Sequence, residues 1–200
     1  MLELENRDEI YYQRYEELRG LVFQAYADVY LLEEFEHYNE KVNSGRLALP
    51  RCSYLVMRHI CHLILADLGL TVWKITDNSS KSNTIKTLKR YLDEQYAKRS
   101  TYSYSPLTNH TIKTLNGLRN EFLAHNDKEK GENAISVSSL KSTLDDIRKC
   151  MNELCFPELD DRVSPIENEI FKEAYDMRLG LELLFEGANM VNPSEKSKKS

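Results

Sequence analysis

Arg119 and His125, six residues apart, are the pair in this chain best suited to do chemistry. A guanidinium is always charged and an imidazole titrates near neutral pH. Together they can hold a phosphodiester and move a proton without a metal ion. They lie in Leu115-Asn116-Gly117-Leu118-Arg119-Asn120-Glu121-Phe122-Leu123-Ala124-His125-Asn126-Asp127, where Leu115, Leu118 and Phe122 recur at helical steps. At about 100° per residue, Arg119 and His125 fall on the two shoulders of that apolar face, about 120° and about 9 Å apart. On a single helix the pair therefore diverges. Asn126-Asp127 and Gly131 are stop signals that put His125 in the last turn, where the carbonyl ends favour an imidazolium. Taken alone, the two residues read first as structural, an Arg paired with an acid and a His closing a helix C-terminus.

The other reactive side chains point to less. Cys52, Cys61, Cys150 and Cys155 have no C-x-x-C spacing and no His at zinc-finger distance, so they read as reduced core thiols. His59 and His62 are three apart on a helical pattern, but no carboxylate or third His accompanies them in order. Asp67 stands near the end of an apolar run, where a capping or structural hydrogen bond is its expected job, because an unpaired buried carboxylate is costly. Neither a metal nor a cofactor is expected.

These residues sit in a chain built for helices. Its 200 residues suffice for one domain with a sizeable core, and only 7 Gly and 5 Pro leave little material for the turns of a many-stranded fold or for a glycine-rich phosphate loop. No run of about 18 uncharged apolar residues occurs, and the start Met1-Leu2-Glu3-Leu4-Glu5 is acidic. A cytoplasmic protein without a membrane association is the resulting expectation.

A net charge of −5 argues against a protein that simply coats nucleic acid. The charge is unevenly spread. Residues 1 to 40 carry eleven acids against three arginines, net −8, whereas residues 81 to 113 carry seven bases against two acids, net +5. The basic segment, with Lys86, Lys89, Arg90 and Lys113, leads straight into the Arg119 helix and is the candidate RNA-binding surface.

The apolar periodicities make the chain all-α. Residues 8–42 form one long helix, or two joined near Gly20, with Leu18, Leu21, Val22, Ala25, Val29 and Leu32 on one side, and with tyrosines expected at a core edge or interface. Asn43-Ser44-Gly45 breaks it. From Pro50 to about Gly69, apolar residues surround most of the circumference, which predicts the central and most buried helix. Ser82 or Asn83 caps a helix over 84–98 with Ile85, Leu88, Leu92 and Tyr96 on its stripe. A hydroxyl-rich loop over 99–108 leads to the Arg119 helix over 109–125, and a charged loop follows to residue 133. Val137, Leu140, Leu144, Ile147, Met151 and Leu154 then hold helical spacing, and a last helix spans 165–186. The single domain covers 1–191, with its core in 50–155, and the polar tail 192–200 is expected to be disordered.

At Arg119-Asn120-Glu121-Phe122-Leu123-Ala124-His125 the chain resembles the HEPN superfamily, within it the abortive-infection group of small bacterial proteins. The resemblance covers roughly residues 50–155. Its signature is an Arg, often followed by a polar residue such as Asn, then a His after four to six intervening residues; here five intervene. The resemblance implies an all-α, HEPN-like bundle of about five to six helices with an antiparallel core. It also implies a homodimer in which two Arg and His pairs meet in a composite site across a two-fold axis, so that diverging shoulders converge with those of a partner. The implied activity is metal-independent RNA cleavage in phage defence or as a toxin. His125 would move the proton of the ribose 2′-hydroxyl or of the leaving oxygen, Arg119 would hold the phosphate, and Asn120 would orient either. An antitoxin or regulatory protein would restrain it. Where some relatives carry a Tyr two positions after the His, this chain has Asp127, which puts a negative charge near the proposed phosphate site. The alternatives are a non-catalytic RNA- or nucleotide-binding module and a protein-interaction scaffold.

Overall fold

A computed structural model describes residues 2–47, 51–77, 81–98 and 137–167, together with single helical positions at Asp176, Leu179, Gly180 and Leu183. Every regular element among the described residues is a helix, as the scarcity of Gly and Pro predicts: α1 (Leu2–Asn43), α2 (Arg51–Thr76), α3 (Ile85–Tyr96) and α4 (Val137–Glu153).

The first helix runs unbroken through Gly20, which sits on its exposed side with open space where a side chain would be. No proline occurs before Pro50, so nothing interrupts the ladder. Its end is where the Asn43-Ser44-Gly45 signal places it. Gly45 takes φ +71°, a left-handed conformation that costs glycine little, and the Arg46 N–H turns back to the Lys41 carbonyl at 2.9 Å. Leu47 then tucks under the helix against Phe35, Tyr38 and Met57.

The most enclosed helix is α1, and the expectation that the 50–69 helix would be central is wrong. Tyr11, Tyr15, Leu18, Val22, Ala25, Tyr26 and Val29 are buried along its length. The second helix keeps Leu55, Val56 and Leu63 at 53%, 59% and 57% exposure. The reason is the number of neighbours. Among the described helices, α1 packs against each of the other three, whereas α2 packs mainly against α1 and slightly against α3. Apolar residues all around a helix announce surface that needs covering, and only neighbours cover it.

The second helix also extends past Gly69 to Thr76. Leu68, Val72 and Ile75 continue one face at steps of four and three residues, and all three are fully buried. Their burial outweighs the cost of about 1 kcal/mol for one helical glycine. The stretch Ser53–Thr76 is long and apolar enough, by length and composition alone, to cross a membrane, and only part of it is buried in the protein.

In α3 the stripe Ile85, Leu88 and Leu92 is buried as read, but the cap lies one residue further on. Thr84 is the N-cap: its hydroxyl accepts the Thr87 N–H at 3.2 Å, and the Thr87 hydroxyl accepts the Thr84 N–H at 2.8 Å. Asn83 is occupied elsewhere, its amide donating to the Arg14 carbonyl at 2.8 Å and the Glu17 carboxylate at 2.9 Å. A reciprocal pair that satisfies two orphan donors displaces the single cap expected from Ser82 or Asn83.

The α4 stripe is buried from Val137 to Leu154. After it, residues 154–166 form a strap held by α1 tyrosines. The Tyr11 hydroxyl donates to the Leu154 carbonyl at 2.9 Å and accepts the Phe156 N–H at 2.8 Å, and the Tyr15 hydroxyl donates to the Ser164 carbonyl at 2.9 Å. Asn152 accepts the Ile166 N–H at 2.7 Å. Outside, Arg162 binds Asp160 at 2.6 Å and Glu9 at 2.7 Å while lying 3.9 Å above the Tyr12 ring. The tyrosines expected at a core edge are thus partly core residues, buried because their hydroxyls reach backbone partners.

Candidate functional site

The described helices arrange three features with chemical content. On α3, Lys86 and Arg90 are exposed on the face turned away from the Leu88 and Leu92 stripe, and Lys89 is half-buried on the shoulder between that face and the stripe. Arg90 pairs loosely with Glu94 at 3.9 Å. The structure therefore brings Lys86, Lys89 and Arg90 onto one helix surface. Lys113, Arg119, Asn120 and His125 lie outside the described residues, as do Asp127, the hydroxyl-rich loop, and the tail.

A carboxylate pair joins α1 to α2. Asp67 accepts a 2.6 Å hydrogen bond from the Gln24 amide, in line with its expected structural role. Its neighbour on α1, Asp28, has one carboxylate oxygen buried without a hydrogen-bond partner. Burial first, and the Asp67 charge second, push the Asp28 carboxyl up to about 7. In the sequence Asp67 stands out because it interrupts an apolar run. Asp28 does not, since it lies just beside the Ala25 and Val29 stripe and looks like any solvent-side acid.

The raised Asp28 carboxyl fixes the direction of a pH effect. The folded protein holds this proton up to about pH 7 while the unfolded chain releases it near 3.8, so this group makes stability fall as pH rises between those values. Asp28→Asn mimics the protonated acid. With half-open surroundings screening part of the effect, it should stabilise by about 1–2 kcal/mol at pH 8 and by almost nothing at pH 4. Urea denaturation at both pH values checks this; an equal effect at the two would count against it.

The third feature is a groove of about 280 Å³ between the C-terminal half of α1 and the N-terminal half of α2, with Val137 of α4 also in its lining. Its floor is apolar, with Leu32, Phe35, Met57 and Leu65. Glu36 and Asn39 line it from α1, and Arg58 and His62 line it from α2, one helical turn apart. Burial and the nearby Glu33 and Glu40 charges raise the Glu36 carboxyl above its ordinary value. His62 faces this groove, and no group of three or more metal-ligating side chains occurs among the described residues.

Cys61, Cys150 and Cys155 are free thiols, as expected, and burial raises all three, Cys150 to about 11. None of these three is poised as a thiolate nucleophile. Compared with known proteins, the chain matches no family model, no curated protein and no solved structure at a significant level.

Proposed function

We propose that the chain is a metal-independent endoribonuclease of HEPN type, acting in phage defence or as a toxin. The reading is carried by Arg119 and His125 with five residues between them on one helical pattern. The ribose 2′-hydroxyl attacks the adjacent phosphorus. His125 takes or returns the proton, Arg119 balances the growing negative charge, and Asn120 orients the phosphate or the imidazole. RNA supplies its own nucleophile, so no metal or cofactor is needed. A homodimer lets the Arg and His of two chains converge in a composite site. The basic α3 face, with Lys86, Lys89 and Arg90, supports RNA as the substrate, with Lys113 continuing the basic segment.

The test is cleavage of RNA by the purified full chain in EDTA, giving 2′,3′-cyclic phosphate and 5′-hydroxyl ends. Intact RNA under those conditions, with no toxicity on bacterial expression, sinks the reading. Neutralising Lys86, Lys89 and Arg90 to Gln should weaken RNA binding and flatten its salt dependence by roughly 0.7 in log–log slope for each phosphate no longer neutralised. An unchanged slope would remove this face from the interface.

The exposed Leu55, Val56, Ile60 and Leu63 on α2 favour a second reading, a protein-interaction scaffold. A scaffold would leave RNA untouched, and a well-folded Arg119→Ala variant would keep its function.

A further inference from the structure

We propose that the groove between α1 and α2 binds a small dipolar molecule with an apolar body, chemically a free amino acid with a large side chain. The proposal does not rest on nuclease activity. Its walls carry opposite charges: Glu36 on the α1 side, Arg58 and His62 on the α2 side. The two walls do not neutralise each other, because neither Glu36 nor Arg58 forms an ion pair within 4 Å among the described residues. Between them lies an apolar floor that includes Phe35 and Met57, each 6% exposed, with Tyr54 at the side.

A ligand with a single charge meets one wall that attracts it and one that repels it. A purely apolar ligand leaves both walls unanswered. An ammonium and a carboxylate on one carbon answer both: Arg58 offers two parallel donors to the carboxylate, His62 adds another polar contact, and Glu36 with the Asn39 carbonyl accepts from the ammonium. The side chain then covers the floor. The groove volume of about 280 Å³ suits one such molecule rather than a peptide or a nucleic acid strand.

The probe is L-phenylalanine, titrated into the full-length protein by calorimetry, beside 3-phenylpropionate, which lacks the ammonium, and phenethylamine, which lacks the carboxylate. For a ligand of this size the expected Kd is about 0.1–1 mM. Each single-charge analogue should bind about tenfold or more weaker, the loss expected for one charged hydrogen-bonding group. Arg58→Met should bring phenylalanine down to the level of phenethylamine without changing phenethylamine itself. Glu36→Gln should bring it down to the level of phenylpropionate. Both side chains are exposed, so both variants should keep the parent's helical circular dichroism. Absence of saturable binding up to about 10 mM, a range well above that Kd, overturns the proposal. So does equal binding of phenylalanine and either analogue, or binding that both variants leave unchanged. RNA cleavage is a different readout, so failure of either proposal leaves the other standing.

Discussion

His125→Ala is expected to lower the rate of RNA cleavage by about 10²–10⁴-fold, the range that one positioned proton-transfer group contributes. The variant should still bind RNA, because the phosphate contacts are assigned to Arg119 and the basic α3 face. Arg119→Lys keeps the charge but loses the planar pair of donors, so it should also cut the rate, with less effect on binding. The two substitutions together should cost less than the product of their separate effects, because the residues act on one transition state. The measurement is single-turnover cleavage of a short RNA in EDTA. A His125→Ala protein that cleaves at the parent rate removes His125 from the chemistry. A mixed dimer, one protomer carrying His125→Ala and its partner Arg119→Ala, tests the composite site. Each arrangement of Arg and His across the two-fold axis predicts a definite fraction of parental activity.

Tyr11→Phe should destabilise the fold by about 2–3 kcal/mol, although it deletes a single oxygen atom. That oxygen serves the buried Leu154 carbonyl at 2.9 Å and the part-buried Phe156 N–H at 2.8 Å. Each loses its partner where water has limited access, a cost of about 1–3 kcal/mol per group. Tyr15→Phe breaks one bond to the backbone, at the Ser164 carbonyl, and should cost roughly half as much on the same grounds. Burial pushes both phenols far above their usual range, so neither ionises in any working buffer and the difference should not depend on pH. Urea midpoints for the two variants decide the matter. A Tyr11→Phe change no larger than that of Tyr15→Phe would show that the strap after α4 holds without this clasp.

The helices were largely legible because apolar spacing is a local property. Ile85, Leu88 and Leu92 on α3, and Leu140, Leu144, Ile147 and Met151 on α4, are buried as their periodicity indicates. The break at Gly45 was legible for the same reason, since left-handed backbone favours a glycine in the sequence itself. The end of α2 was not. Gly69 signals a stop only if nothing beyond it is worth burying, and Val72 and Ile75 find the core. Nor was the cap of α3, where a reciprocal bond between Thr84 and Thr87 competes with two equally suitable single caps.

The pairings across the chain depended on folding. Tyr11 meets Leu154 across 143 positions, and Gln24 meets Asp67 across 43. Nothing local in either sequence window announces its partner. The groove shows the same limit, since Glu36 and Arg58 each read as ordinary solvated charges until α1 and α2 set them on facing walls.

By itself, then, the sequence determined the helical character of the described elements, the apolar stripes of α3 and α4, an acidic first forty residues, a basic α3 segment, and the Arg119 and His125 spacing that motivates the nuclease reading. Tertiary structure alone decided that α1 rather than α2 is enclosed, that Asp28 shares a half-buried site with Asp67, and that charges of opposite sign face each other over an apolar floor. Periodicity is set by neighbours three and four residues away, whereas burial and proton affinity are set by whichever distant surface the fold brings into contact.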